Sequence, residues 1–488
     1  MSSPRVRCAG LLPLPRLAPS RALGILLLAL VTGGCAWLAP VPLWEQPPPP
    51  VLDTPVVDSA RLHRAELANG LRLRILEDHR LPSFAMGVIV PRGVGVESRE
   101  QAGLAELTAE LMERGAGDRD ALQLAEVVDT LGASLSASAG WDSSSAQVSG
   151  LSRDLDALFD VLADVVRRPR FDPEEVAKVR SERMARIRHA ADDPGTLAAW
   201  NLARVLYPAH RYGLPSVGTL ESVAKLEPPA ARAFHHGIFT PRVAILYAVG
   251  DVDPQAVLAR VRRAYGDWSG GELPPPAPPP APPDGRKVVL VDRPDLDQAH
   301  IALGHGGISR TAEDRIAVQL LNTVLGSGGF SSRLMSRIRA KEGLTYGIGS
   351  YFSMRRSAGP FGVYTFTRVP QVARLLRDTL AELERIVREP PSPEELSQAQ
   401  SLRLGRFALG LETSRAVMAA LLDLEVYGLP ADSLDTYRRR VRDATPADAA
   451  AAAREHIHPQ QLSIVVVGPA EALRSQLEPF GPVEVVQP

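Results

Sequence analysis

The tetrapeptide YGLP occurs twice in the chain, at residues 212–215 and again at residues 427–430. Two further pairs of matching segments have a similar spacing: 172–176 (DPEEV) with 392–396 (SPEEL), and the apolar stretches 243–250 with 462–468. The offset is about 220 residues each time, which is far longer than the period of a solenoid repeat. The sequence therefore predicts the duplication of a whole domain.

A segment rich in proline and glycine, residues 269–287, separates the two copies. Such a run can continue neither a helix nor a central strand, and it is typical of a semi-rigid polyproline spacer. We therefore expect a first domain at residues 59–268, this linker, and a second domain at residues 288–488.

Each copy has the pattern of an α+β domain. Alternating apolar residues and β-branched runs predict strands, and longer stretches with helical periodicity predict helices. The main predicted strands are 71–75, 85–90, a pair within 131–149, 347–353 and 362–367, and the main predicted helices are 103–115, 154–167, 173–191, 314–325, 369–387 and 393–411. Strand pairs interrupted by helices predict a mixed sheet with helices packed on one face.

The N-terminus has the order of an export signal. Four arginines precede the apolar run at residues 22–31, small residues follow, and the run is too short for a mature membrane anchor. Cleavage before Cys35 would leave it as the single cysteine, which favours a lipidated residue over a plain secretory signal. Residues 1–35 are thus predicted to be a lipoprotein-type signal, although the usual leucine three positions before the cysteine is missing. Residues 36–58 are predicted to be a proline-rich tether.

These features predict a place in the cell envelope. Ala36 after the cysteine favours the periplasmic face of the outer membrane, with a lipid anchor as the contact to the membrane. The formal net charge of −1 gives no polyelectrolyte signal, so a nucleic-acid partner is not expected.

Residues 103–115 (GLAELTAELMERG) form the second informative stretch. Leu104, Leu107 and Leu111 fall on one face of a predicted helix, and Glu106 and Glu110 share another. Two carboxylates one turn apart could touch a hard cation, but further ligands are missing from the local sequence. The alternative is a solvated face with a Glu110–Arg114 ion pair.

From about residue 60 to the C-terminus, the chain resembles the M16 (pitrilysin-like) peptidases. The resemblance rests on GLAELTAELMERG, FDPEEVAKVR, HRYGLP and, most specifically, the segment SSRL…IRAKEGLTY within residues 328–350. It implies two homologous α+β domains joined by a linker.

The resemblance also implies a degenerate zinc site. Active members carry His-x-x-Glu-His in the first helix, and those three positions fall here at Glu106, Ala109 and Glu110. The family's third ligand, a glutamate of the later long helix, falls at or next to Ala185 and Arg186. Both histidines, the general base and the third ligand are therefore absent. We expect no metal and no cofactor in this chain, with zinc held only by a partner subunit.

The second domain keeps Arg339 and Tyr346. In the family, an arginine and a tyrosine at this spacing reach across to the metal domain, hold the peptide carbonyl and stabilise the developing oxyanion, a task suited to a guanidinium and a phenol. Taken alone, the same residues also fit a surface ion pair between Arg339 and Glu342, and a half-buried strand position for Tyr346.

Many bacterial members of this family work as two chains, one with the zinc motif and one without it. The sequence therefore predicts a catalytically incomplete subunit that pairs with a zinc-bearing homologue around a peptide substrate and supplies Arg339 and Tyr346 in trans. Two alternatives are a peptidase-like scaffold or peptide-binding protein, and a self-sufficient peptidase with unusual ligands. The remaining histidine pairs, His235–His236 and His456 with His458 on a predicted strand, lack a third ligand at suitable spacing.

Overall fold

The structure, a computed structural model, describes residues 54–58, 60–271, 273–274, 278–281 and 285–488. The predicted signal, Cys35 and most of the predicted tether lie outside the described residues. Within the described part of the chain, no helix is both long enough and apolar enough to cross a membrane.

The first half is built on a six-stranded sheet with the order β1-β2-β8-β3-β7-β6. Its strands are β1 (Leu62–Glu66), β2 (Arg72–Glu77), β3 (Ser83–Val90), β6 (Ser134–Ala139), β7 (Ser144–Leu151) and β8 (Ile245–Gly250), and a small separate ribbon joins β4 (Gly115–Ala116) to β5 (Arg119–Asp120). Strands β2 and β8 are parallel and the other neighbours are antiparallel. The predicted mixed sheet is thus confirmed.

Eight α-helices belong to the described part of this half. They are α1 (Leu104–Met112), α2 (Ala121–Thr130), α3 (Leu155–Arg167), α4 (Pro173–Asp192), α5 (Pro194–Leu206), α6 (Leu220–Ala224), α7 (Pro228–Ile238) and α8 (Pro254–Tyr265). Leucines of α1 and α3 pack with the apolar side chains of β3 and β7 in one large core. This burial of apolar surface is the main stabilising contribution to the half.

The second half repeats the arrangement with the order β11-β12-β10-β13-β9-β14. Its strands are β9 (Val288–Asp292), β10 (Gln298–Gly306), β11 (Ile348–Phe352), β12 (Pro360–Arg368), β13 (Ser463–Gly468) and β14 (Val483–Val486). Its α-helices are α9 (Arg315–Asn322), α10 (Val372–Arg388), α11 (Pro393–Leu409), α12 (Ser414–Tyr427), α13 (Ser433–Asp443), α14 (Pro446–His456) and α15 (Ala470–Leu477). The repeated apolar segments form β8 and β13, inner strands of the two sheets.

One predicted helix of the second half differs from expectation. The sequence predicts an α-helix at residues 314–325, but the observed α-helix, α9, ends at Asn322. The chain continues with π-helical turns over Thr323–Ser327. The side chains of Asn322 and Ser350 are hydrogen-bonded at 2.6 Å, which ties this segment to β11. A β-carbon at Gly326 would lie 2.5 Å from the Ser350 nitrogen, so the wider turn depends on glycine there. Such π-turns often occur at functional sites.

The two halves exchange helices. Helix α5 of the first half packs its Leu197 and Leu202 on Val289 and Val465, on the outer face of the second sheet. In return, α12 of the second half covers the corresponding face of the first sheet, with its buried side chains against those of β1, β3 and β8. The first YGLP segment follows α5, and the second begins at the last residue of α12. Each sheet therefore has its own helices on one face and a helix of the other half on the opposite face.

Polar contacts reinforce this exchange. Glu425 of α12 accepts hydrogen bonds from Arg72, at 3.0 Å, and from Arg74 of β2. Buried Asp142 accepts from the Tyr427 hydroxyl at 2.9 Å and from the backbone N–H of Arg356 at 3.0 Å. These contacts join residues of different halves, so we expect the described body to unfold as one cooperative unit.

Candidate functional site

Helix α1 carries the degenerate metal positions, and its start is held by a buried carboxylate. Gly103 has a positive φ of 95° and precedes the helix. Glu97 accepts hydrogen bonds from the N–H groups of Gly103 at 3.2 Å and Ala105 at 2.5 Å, and from Arg211 at 2.7 Å. Burial raises the pKa of Glu97 to about 7, and these donors oppose the rise. The N-terminus of α1 is thereby fixed relative to the YGLP segment that follows Arg211.

The glutamates of α1 are bridged by one arginine of α4. Arg183 donates to the Glu106 carboxylate and to the Glu110 carboxylate, both at 2.9 Å, and its own side chain is only 6% exposed. Arg186 donates to Glu110 at 2.7 Å from the solvent side. Ala109, at the position of the family's general base, is buried and carries no polar group. A guanidinium therefore lies between the two side chains that replace the histidines.

This geometry bears on two sequence-based interpretations. The third-ligand position was placed at or next to Ala185 and Arg186; Ala185 is exposed, Arg186 contacts Glu110, and Arg183 is the residue of α4 that contacts both glutamates. The Glu110–Arg114 pair of the other interpretation is present, but it is not the main contact of Glu110. That pair is 4.0 Å apart, longer than the contacts of Glu110 with Arg183 and Arg186.

These residues do not fit a zinc ion. Catalytic zinc needs three protein ligands with a free position for water, at about 2.0–2.3 Å from each ligand atom. Here the inner carboxylate oxygens face a permanently charged guanidinium, so a metal ion bound to them would meet a like charge at close range. Repulsion by the Arg183 guanidinium also makes a hard cation between Glu106 and Glu110 unfavourable.

Arg339 and Tyr346 lie on the surface of the second half and contact each other. The Arg339 guanidinium carbon lies 4.8 Å from the centre of the Tyr346 ring and 4.6 Å from that of Phe330. The Tyr346 side chain is 78% exposed and that of Phe330 74% exposed. A guanidinium between two exposed rings is held by cation–π attraction while its N–H donors stay available.

The backbone on both sides of Tyr346 is fixed by hydroxyl groups. Thr345 and Thr365 both donate to the Gly347 carbonyl, at 3.0 Å each, and Thr367 donates to the Leu344 carbonyl at 2.6 Å. An exposed phenol thus projects from a rigid turn that is anchored on β12. This arrangement suits a residue that must meet another molecule in one orientation.

Both simpler alternatives for this pair are wrong. Glu342 pairs with Arg374 at 2.5 Å, and Arg339 has no carboxylate within 4.0 Å among the described residues. Tyr346 is not a half-buried strand residue either, because β11 begins only at Ile348. Sequence reasoning missed Phe330, for which an exposed aromatic residue in the GGF segment before SSRL was the available signal.

The histidines do not form a catalytic cluster, but one prediction about them needs correction. His456 ends helix α14 and His458 lies in the following loop, so they do not share a strand. His456 contacts Asp314 at 2.5 Å, and with Glu455 it forms the single group of three metal-type ligands among the described residues. Within this group, the His456 ring nitrogen is already hydrogen-bonded to the Asp314 carboxylate. His235 is buried and bonds the Val166 carbonyl.

Comparisons with known proteins agree with this architecture. The family described as insulinase (peptidase family M16) matches residues 74–219, and the family described as the peptidase M16 inactive domain matches residues 225–402. An uncharacterised zinc protease of Streptomyces coelicolor is 30% identical over 415 residues, which is 84% of this chain and 90% of that protein. An uncharacterised zinc protease of Mycobacterium tuberculosis is 29% identical over 84% of this chain and 94% of its own length. The chain belongs to the M16 peptidase family.

Solved structures show the same fold. The peptidase M16 inactive domain of Pseudomonas fluorescens aligns with a TM-score of 0.77 at 26% identity, covering 84% of this chain and 98% of that one. A protease of Helicobacter pylori aligns with the same TM-score at 20% identity, covering 84% and 99%. The sequence-based prediction of two M16-type domains is therefore confirmed.

Proposed function

We propose that this chain is a non-catalytic M16 subunit that pairs with a zinc-bearing homologue and supplies Arg339 and Tyr346 to a peptide-hydrolysing chamber. One contrast carries the proposal. The positions that would bind zinc are bridged by Arg183, whereas in the second half Tyr346 is exposed and Arg339, which is half-buried, packs against its ring.

The donor pair is suited to peptide hydrolysis. When a peptide carbonyl is attacked, negative charge grows on its oxygen, and fixed donors aimed at that oxygen stabilise the transition state more than the substrate. Arg339 offers a permanently charged forked donor, and Tyr346 offers a neutral hydroxyl. Because Arg339 has aromatic neighbours rather than a carboxylate, no ion pair has to break before it binds the carbonyl oxygen.

The remaining components would come from the partner. The homologue would contribute zinc, its ligands and the general base, and this chain would contribute the two donors and part of the chamber wall. We also propose that the assembly is exported and anchored through a lipidated Cys35 at the periplasmic face of the outer membrane. This location rests on the sequence of residues 1–36 alone.

The test is to co-express the chain with a zinc-bearing M16 homologue from the same genome, purify the complex and measure peptide hydrolysis. Replacing Arg339 by Ala should lower kcat by about 10²–10³, the effect of removing one oxyanion donor. Tyr346→Phe should also lower kcat. The matched control is Arg377→Ala, an exposed arginine of α10. A complex that forms normally but hydrolyses peptide at an unchanged rate with Arg339→Ala would refute the donor role and favour a scaffold.

A second candidate function is favoured by the names of the relatives. The proteins from Streptomyces coelicolor and Mycobacterium tuberculosis are described as zinc proteases, which favours a peptidase that works alone. Chelator-sensitive cleavage by the purified single chain would support that function. The Arg183 bridge argues against it, since it places a cation where the metal would have to bind.

A further inference from the structure

Two adjoining cavities lie in the second half, on a part of the molecule that the proposed donor pair does not use. Their volumes are about 410 and 260 Å³, and they share Arg310, Gln319 and Arg403 in their walls. Helices α9, α11, α12 and α13 supply most of the lining. A space of this size suits a small organic molecule.

The two cavities are treated together as one site, and the walls of this cavity carry an excess of positive charge. Arg310, Arg315, Arg403 and Arg406 line it, and Asp423 is the one carboxylate residue among the described lining residues. Asp423 is paired with Arg310 at 2.6 Å. Among the described residues, the other three arginines have no carboxylate within the 4.0 Å of an ion pair. Burial and the like charges of Arg440 and Arg310 lower the pKa of Arg315, in agreement with a local excess of cations.

Neutral partners hold Arg403 in place. Arg403 donates to the Gln319 side-chain oxygen at 2.5 Å and to the Tyr437 hydroxyl at 3.3 Å. The Tyr437 ring is stacked on Phe407, with ring centres 4.5 Å apart. One wall therefore consists of a guanidinium, held by neutral partners, beside an aromatic surface.

The duplication gives this cavity a counterpart in the first half. Arg403 follows the start of α11 by the same number of residues as Arg183 follows the start of α4, and each arginine reaches back to the first helix of its own half. Arg183 donates to the carboxylates of Glu106 and Glu110, whereas the partners of Arg403 in the described part of the chain are an amide and a phenol. The same architectural position thus has balanced charge in one half and unbalanced positive charge in the other.

We propose that this cavity binds a small organic anion with two or more negative charges, held by Arg315, Arg403 and Arg406, with its carbon skeleton against Phe407 and Tyr437. Guanidinium groups bind both phosphate and carboxylate oxygens in a bidentate manner, so the chemistry shared by the ligands is that of an oxyanion. This inference does not depend on pairing with a homologue or on the role of Arg339.

Calorimetric titration of the full chain with glycerol 3-phosphate and, separately, with citrate tests the proposal. We expect saturable binding of one anion per chain for at least one probe, and the tighter probe identifies phosphoryl or carboxyl groups as the natural ligand chemistry. Arg315→Gln and Arg406→Gln should each weaken binding about tenfold, as expected for the loss of a charge-assisted contact. Arg377→Gln, the same change on an exposed position of α10, should leave binding unchanged.

Thermal unfolding of each variant without ligand provides the folding control. A variant that keeps the wild-type Tm but loses binding supports the cavity as the site. Absence of saturable binding with both probes would overturn the proposal. So would binding that all three variants, including Arg377→Gln, weaken equally, because that result would indicate only a general response to net charge.

Discussion

Arg183 donates to the Glu106 carboxylate at 2.9 Å, between the two helices on which the family resemblance places the metal-ligand positions. The same guanidinium reaches Glu110 at an equal distance. A fixed side-chain cation thus links α1 to α4 where other family members are expected to use a metal ion. Because Arg183 links α1 to α4, the contact between these two helices does not require a metal ion.

The Arg183 bridge should be important for stability. Arg183→Met would leave Glu106 and Glu110 facing each other without their shared partner, and we expect a loss of about 2–4 kcal/mol in the free energy of unfolding. Urea unfolding followed by circular dichroism measures it. Arg186→Met is the matched control, because the Arg186 side chain is 60% exposed and should cost under about 1 kcal/mol. Equal losses for the two variants would contradict the bridging role.

Phe330 should affect activity through Arg339 without affecting stability. Phe330→Ala removes one of the two rings beside the guanidinium, and an exposed cation–π contact contributes about 0.5–1 kcal/mol. We expect the hydrolysis rate of the co-expressed complex to fall about two- to fivefold, with an unchanged Tm. Phe330→Tyr should restore the rate, because it restores the ring. A loss that Phe330→Tyr does not recover would argue against stacking as the cause.

Helix exchange predicts that Glu425 stabilises both halves together. Glu425→Ala leaves Arg72 and Arg74 of the first sheet without their common acceptor, at an expected cost of about 1–3 kcal/mol. Glu412→Ala, at an exposed position just before α12, is the control and should be near neutral. Unfolding should remain a single transition in both variants, observed by tryptophan fluorescence and circular dichroism. Separate transitions for the two probes would show that the halves are not coupled.

Buried His235 should make the fold sensitive to acid. Burial lowers the pKa of His235 from 6.5 to about 4, so between these values the unfolded chain takes up the proton that the folded chain excludes. Its contribution to the free energy of unfolding is therefore complete above pH 6.5. It falls as the pH drops towards 4, by a total of about 3 kcal/mol.

The variant His235→Phe isolates the contribution of His235 to the pH dependence of the free energy of unfolding. It loses the hydrogen bond to the Val166 carbonyl, so stability at pH 7 should drop by about 1 kcal/mol, but the decrease between pH 6.5 and 4 should become shallower. His189→Gln is the control, because the His189 side chain is 93% exposed. A wild-type decrease that persists unchanged in His235→Phe would assign the acid sensitivity to other groups.

Local patterns predicted most of the architecture. The apolar segments at residues 243–250 and 462–468 formed inner strands, and the helices with proline at their first turn, α4 and α11, begin at the predicted residue. These elements depend on periodicity and capping, which are encoded in neighbouring residues. The prediction of duplicated mixed sheets followed from them.

Features that depend on long-range packing could not be predicted. The helical periodicity of α5 and α12 indicates apolar faces but not that each face covers the sheet of the other half. Similarly, the contact of Arg183 with both glutamates of α1, beside the predicted position at Ala185 and Arg186, depends on how α4 is rotated about its axis. The partner of Glu342 was misjudged for the same reason, since Arg374 lies far along the chain.

Zinc content of the purified single chain tests the central claim most directly. Elemental analysis by mass spectrometry, after equilibration with micromolar zinc and desalting, should find far less than one zinc ion per chain, because Arg183 already lies between the carboxylates of Glu106 and Glu110. One tightly bound zinc ion per chain in the wild type, lost in Glu106→Gln and Glu110→Gln, would contradict the account.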